Sequence, residues 1–205
     1  MMGALNEYRR FESTNPKLNF SFLYPADWQV KEIEEKIYSE AFVRGPRNQA
    51  DTLNAGITVT VVPIREAGGE FATVEEALAD YVARSQKLAD WREVSRTSGF
   101  FLSCPAVEVT ISYTLRLPLN SPVAQVTSIM ERKLIVKRGS HLYKITYRAV
   151  EEDYYAFLPA FKDIVRTFEF RDGRTEVREF YPLITPLPAP AVREQGAGYK
   201  AHESE

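Results

Sequence analysis

Residues 125–150 read QVTSIMERKLIVKR, then Gly139-Ser140, then HLYKITYRAV. Both runs place apolar residues at alternate positions, and a two-residue connection with glycine first marks a tight β-hairpin. That turn fixes a register. It sets Arg138 against His141, Val136 against Tyr143, Leu134 against Ile145 and Arg132 against Tyr147. The apolar side chains of both strands then share one face. A slip of one residue would turn the whole set to the other face, so pattern and turn support each other.

The opposite face of the same hairpin carries Lys133, Lys137, Lys144 and Arg148, with Glu131 across the ladder from Arg148. Four cations on two adjacent strands suit an acidic partner or an anionic ligand through charge-assisted contacts. These four are the candidate partner-binding residues. The plainer alternatives are a solvated sheet face or a helix laid over the lysine stems.

More strands are read elsewhere. Phe20–Tyr24 (FSFLY) ends at Pro25, which has no N–H for a ladder. Tyr38–Gly45 is a strand, 46–55 a polar loop, and Gly56–Pro63 a β-branched strand stopped by proline. From Pro105 to Arg116, Val107, Val109, Ile111, Tyr113 and Leu115 point one way and polar residues the other. Two helices complete the pattern. Thr73 and Glu76 form a capping box ahead of a stripe of Val74, Ala77, Leu78, Tyr81, Val82 and Leu88. Tyr154, Phe157, Leu158, Phe161, Ile164, Val165 and Phe168 form a second stripe, interrupted by Pro159; this helix is expected to start near that proline.

The quoted segments FSFLYPADW (Phe20–Trp28), ITVTVVP (Ile57–Pro63), TVEEALADYV (Thr73–Val82), LYKITYRA (Leu142–Ala149) and FKDIVRTFEF (Phe161–Phe170), in that order, resemble the PsbP/Mog family. Phe-x-Tyr-Pro-x-x-Trp is the most specific piece. The resemblance implies an α+β fold, an αβα sandwich with a central antiparallel sheet flanked by helices. It also implies an accessory or binding role: the family includes an extrinsic photosystem II subunit, a regulator that binds the Ran GTPase, and many bacterial proteins. No functional residue of those branches carries over to a position here. Within this fold Trp28 is expected to fold back on the sheet as a core anchor. The domain is expected over residues 6–170. Residues 171–205 form a proline-containing extension, with Pro182, Pro186, Pro188 and Pro190, that acts as a spacer or tail.

Composition narrows the function classes. With 26 Lys and Arg against 28 Asp and Glu, the net charge is −2, unlike the basic balance of a general nucleic-acid binder. No apolar run approaches the roughly 18 residues of a membrane span, and no secretory signal opens the chain, so a cytoplasmic protein is expected. The single Cys104 excludes an intramolecular disulfide. Catalytic and metal-binding patterns are missing: no Cys-x-x-Cys, no His-Glu-x-x-His, no Asp-rich calcium loop and no phosphate-binding glycine loop. The one nucleophile–base pair to weigh is Cys104 with His141. Both are expected at the same end of the sheet but two strands apart, roughly 9–10 Å, against about 3 Å for a hydrogen bond. The sequence therefore points to a non-catalytic binding protein without cofactor or metal, with another, acidic protein as partner. The alternative is a small-ligand-binding or hydrolytic domain with a cleft between helix and sheet.

Overall fold

Thr73 caps the first helix. Its hydroxyl accepts from the Glu76 amide at 3.1 Å, and the Glu76 carboxylate accepts from the Ala72 amide at 3.0 Å. That amide holds the Glu76 carboxyl below its ordinary value. Similar local logic recurs along the chain, in which the computed structural model describes residues 7–171 and 185–186. In order these are β1 (Tyr8–Glu12), β2 (Phe20–Pro25), β3 (Gln29–Glu34), β4 (Ser39–Arg47), β5 (Asn54–Pro63), α1 (Val74–Ser85), β6 (Ala89–Phe101), β7 (Cys104–Leu117), β8 (Gln125–Arg138), β9 (His141–Val150), α2 (Glu151–Thr167), β10 (Glu169–Phe170) and β11 (Thr185–Pro186). The fold is α+β and mostly antiparallel sheet.

Eight strands form one sheet in the order β11-β6-β7-β8-β9-β5-β4-β3. Its centre is the hairpin of β8 and β9. Every pairing expected from the Gly139 turn is present, from Arg138–His141 to Glu131–Arg148, and Gly139 takes the positive φ of +54° that such a corner requires. Successive side chains point to opposite faces, which gives the sheet two apolar sides. On one, Val74, Ala77 and Leu78 of α1 cluster with Val107, Val109 and Ile111 of β7 and Ile129 and Ile135 of β8. On the other, Tyr154, Phe161 and Ile164 of α2 cluster with Leu134 and Val136 of β8 and Ile145 and Tyr147 of β9. A small sheet ordered β1-β2-β10 joins that second side, bringing Phe11, Phe20 and Phe22 into the same core.

Three features differ from the sequence reading. The strand Phe20–Pro25 pairs with β1 and β10 in the small sheet rather than joining the large one. Strands β1, β3 and β6 were not anticipated, because their exposed charges blur the alternation. And α2 does not begin near Pro159: it starts at Glu151 and carries that proline inside. Three acids in its first turn favour the positive end of the helix dipole, and Tyr154 is already buried. Pro159 and Tyr155, whose carbonyl loses its donor, are both exposed, so water can replace the missing bond. Of the expected extension only Arg171, whose amide donates to the Asn19 carbonyl at 3.0 Å, and Thr185–Pro186, whose backbone pairs with Phe100 and Gly99 of β6, lie within the described residues.

Trp28 follows the β2 turn and is 6% exposed. Its amide donates to the Pro25 carbonyl at 3.0 Å, and its ring meets Phe157 of α2 edge-on at 6.1 Å between centroids. On its other flank is Gly45, where a Cβ would come 2.7 Å from the indole. Gly45→Ala is therefore expected to lower stability by about 1–3 kcal/mol through overpacking. A urea unfolding midpoint indistinguishable from wild type would show that the ring can yield.

Candidate functional site

Lys133, Lys137, Lys144 and Arg148 do stand on one face of the hairpin, the face on which α1 lies. They meet different surroundings there. Lys133 is folded beneath the helix: its ammonium lies 3.7 Å from the centre of the Tyr81 ring and 3.5 Å from Glu131. Burial pushes its pKa down, while Glu131 pulls it back up. Glu131 also accepts from the hydroxyls of Tyr81 at 2.8 Å and Tyr113 at 3.0 Å. Lys137 donates to the Ala72 carbonyl at 2.8 Å, bracing the entrance to α1. Lys144 lies 5.0 Å from the Phe71 ring centre and is half-buried; burial first, then Lys133, lowers its pKa. Arg148 is exposed.

The helix crosses β7 and β8, Phe71 ahead of it reaches Lys144, and no other helix among the described residues clusters with the remaining half of that face. Three cross-strand rows cross this open ledge. They run Ile33–Glu40–Thr60–Lys144, Lys31–Phe42–Thr58–Thr146 and Gln29–Arg44–Gly56–Arg148, and continue beneath α1 to Ile135, Lys133 and Glu131. Directly paired residues share a face, so Lys31 and Arg44 join Lys144 and Arg148 on one surface. Gly56 has a particular use here. A Cβ on it would lie 2.9 Å from the Phe42 ring, so only glycine lets that ring lean over the β5 backbone between the two arginines. Arg44 donates to the Asn54 side chain at 3.0 Å. Among the described residues no carboxylate lies within 4.0 Å of Lys31, Arg44, Lys144 or Arg148. Glu40, the ledge carboxylate nearest Lys144 in register, accepts from Thr60 at 3.0 Å.

Lys31, Phe42 and Arg44 were not singled out from the sequence. The alternation in Glu40–Arg44 puts Phe42 and Arg44 on one face, which is a readable signal. What brings them beside Arg148 is the β5–β9 pairing, and that joins segments far apart in the chain.

At one end of the large sheet a groove of about 830 Å³ opens between the β6–β7 turn, the β8–β9 turn and residues 16–19. Cys104 and His141 both line it, with Lys17, Lys137 and Arg138. They share no hydrogen bond. Arg138 stands between them: it pairs with His141 across the hairpin, and its guanidinium donates to the Cys104 sulfur at 3.7 Å. The imidazole Nδ1 instead lies 3.2 Å from the Ser140 hydroxyl. Nucleophilic catalysis needs a base in contact with the nucleophile, and this arrangement does not supply that contact. Among the described residues there is no group of three or more His, Cys, Asp or Glu placed to hold a metal ion, and no helix is long and apolar enough to cross a membrane.

No family model matches the chain, and no curated protein does. Solved structures of similar fold include cyanobacterial PsbP (CyanoP) from Synechocystis sp. PCC 6803, at 11% identity and TM-score 0.48, covering 83% of this chain and 96% of that one. The LpqN protein of Mycobacterium tuberculosis, involved in cell envelope biogenesis, matches at 10% identity and TM-score 0.48 over 80% of this chain and 91% of its own. The Ran-binding protein Mog1p of Saccharomyces cerevisiae matches at 8% identity and TM-score 0.48 over 81% and 96%. Structures from both branches of the family that the sequence resembles, PsbP and Mog, are thus among those of similar fold.

Proposed function

We propose that this chain is a non-catalytic binding or accessory protein that docks an acidic protein partner on the open ledge of its large sheet. Lys144 and Arg148, two of the four hairpin cations, form the centre of that surface, and Lys31 and Arg44 widen it. Lys133 and Lys137, set back under α1 and its entrance, add to the positive field without reaching the partner. The observation that carries this reading is a cluster of four cations, none with a described carboxylate within 4.0 Å, on the part of the face beyond the seat of α1 on β7 and β8. A patch with Lys31, Arg44, Lys144 and Arg148 against Glu40 and Glu131, on a chain of net charge −2, is locally positive and steers acidic surfaces to one place. The scaffold behind it is read as an αβα sandwich, supported by α1 and α2 packing on opposite faces of the sheet. The domain is taken as residues 6–170 and the remainder as an extension, in a cytoplasmic setting.

The test is the double substitution Arg44→Glu and Arg148→Glu. Both side chains are exposed, so the thermal midpoint is expected to stay near wild type. Partner capture from native extract is expected to fall by roughly tenfold or more, with the wild-type complex weakening as salt rises. Unchanged capture by the double variant would refute the ledge as the contact. The second reading is a small-ligand or hydrolytic site in the groove beside Cys104 and His141, favoured by the groove's volume. Cys104→Ser would abolish an activity located there and leave ledge binding untouched.

A further inference from the structure

We propose that the outer edge of β3 accepts an extended acidic segment of the partner as an added strand. This rests on the docking reading above and specifies how the partner is held. The two edges of the large sheet are built differently. At the β6 edge the ladder breaks register twice, between Ala89 and Arg92 and between Glu93 and Ser95, and Thr185–Pro186 already pairs with Gly99 and Phe100. Bulges and covering segments are the devices that stop an edge from recruiting another chain. Strand β3 has neither among the described residues. It pairs with β4 without a break from Gln29–Arg44 to Glu34–Ser39, and nothing described pairs with its outer side.

Charge is the remaining guard, and it is one-sided. Glu32 accepts from the Ser13 hydroxyl at 2.9 Å. Glu34 accepts from the Asn15 amide at 3.1 Å and the Lys17 ammonium at 2.7 Å. Both carboxylates are thus engaged by the segment before β2, on the face away from the ledge. The ledge face of β3 carries Gln29, Lys31 and Ile33, of which Lys31 is exposed and Ile33 half-buried. An added strand continues the alternation. It needs a carboxylate beside Lys31 and an apolar residue two positions along, beside Ile33. Arg44 and Glu40 both lie diagonal to Lys31 on β4 and offset each other, so Lys31 is the cation that selects the carboxylate. A second copy of this chain fits less well, since its own β3 offers no carboxylate on that face. The backbone ladder supplies affinity and the alternate side chains supply selection.

The experiment uses the full chain and an eight-residue peptide with glutamate and valine alternating on one face and threonine on the other. Two further versions are N-methylated along one edge or along the other. The unmodified peptide is expected to slow hydrogen exchange at those amides of residues 29–34 that do not bond to β4. Methylation of the pairing edge is expected to weaken binding roughly tenfold, the loss of a few backbone hydrogen bonds, and methylation of the other edge to leave it unchanged. Lys31→Glu is expected to weaken the unmodified peptide by a similar factor. Equal binding of all three peptides, or unaltered exchange in β3, overturns strand addition. If the Arg44→Glu and Arg148→Glu double variant still loses the peptide in that case, ledge docking survives alone. Absence of binding by any peptide overturns strand addition. So does protection of β3 that depends on protein concentration, which would assign the edge to a second copy.

Discussion

Glu131→Ala is expected to cost about 3–5 kcal/mol of folding stability, the range for removing one partner of a buried ion pair. Its carboxylate is the common acceptor for Tyr81 of α1 and Tyr113 of β7, and the counter-charge of Lys133. Truncation leaves two hydroxyls and an ammonium under the helix with nothing to receive them. Glu131 is also the group that holds the Lys133 pKa up against burial. Without it burial holds the lysine pKa further below the ordinary value, so between the folded and unfolded pKa values the unfolded state binds more protons. Stability then rises with pH, and the variant's deficit shrinks on moving toward the ordinary lysine value of 10.5. Denaturant unfolding at about pH 7 and about pH 9 reads this slope. The pair Glu131→Gln with Lys133→Met keeps an acceptor for the tyrosines and removes the charge, and is expected to recover most of the loss. A loss below about 1 kcal/mol for Glu131→Ala, the scale of an exposed pair, would mean that α1 does not seal this cluster from water.

That cluster marks the boundary of what the sequence discloses. The β8–β9 register is legible because a two-residue turn and two alternating runs depend only on neighbours in the chain. From it the common face of Lys133, Lys137, Lys144 and Arg148 follows. Which half of that face α1 covers does not follow. The helix stripe around Val74, Ala77 and Leu78 is readable, but its position over β7 and β8 is set by packing between distant segments. Hence Lys133 and Arg148, equivalent in the sequence pattern, end in opposite settings. Strand β3 is obscure for a related reason: QVKEIE has an edge strand's charges, and an edge lacks the paired partner that would impose clean alternation. Pro159 misleads because the proline rule speaks of one lost hydrogen bond. The early turns of α2 are held instead by the buried Tyr154 and by acids at the helix start.

Trp28→Ala is expected to lower stability by about 3–5 kcal/mol, the range for truncating a large buried aromatic. The indole fills the space between Gly45 of β4 and Phe157 of α2, so its removal leaves a cavity where sheet and helix meet. The neighbouring glycine supplies a control that separates packing from other roles. The three atoms nearest a Cβ on Gly45 all belong to the indole. In a Trp28→Ala background that clash is gone, and the cost of the added methyl is expected to vanish or to become a small gain. The two substitutions should therefore be strongly non-additive, as expected for groups in direct contact. Additive losses would place the indole away from Gly45. A tryptophan serving a ligand would behave differently again, with binding lost and the unfolding midpoint unmoved. The short stretch Pro25–Trp28 thus ends strand β2 and wedges the indole between Gly45 of β4 and Phe157 of α2.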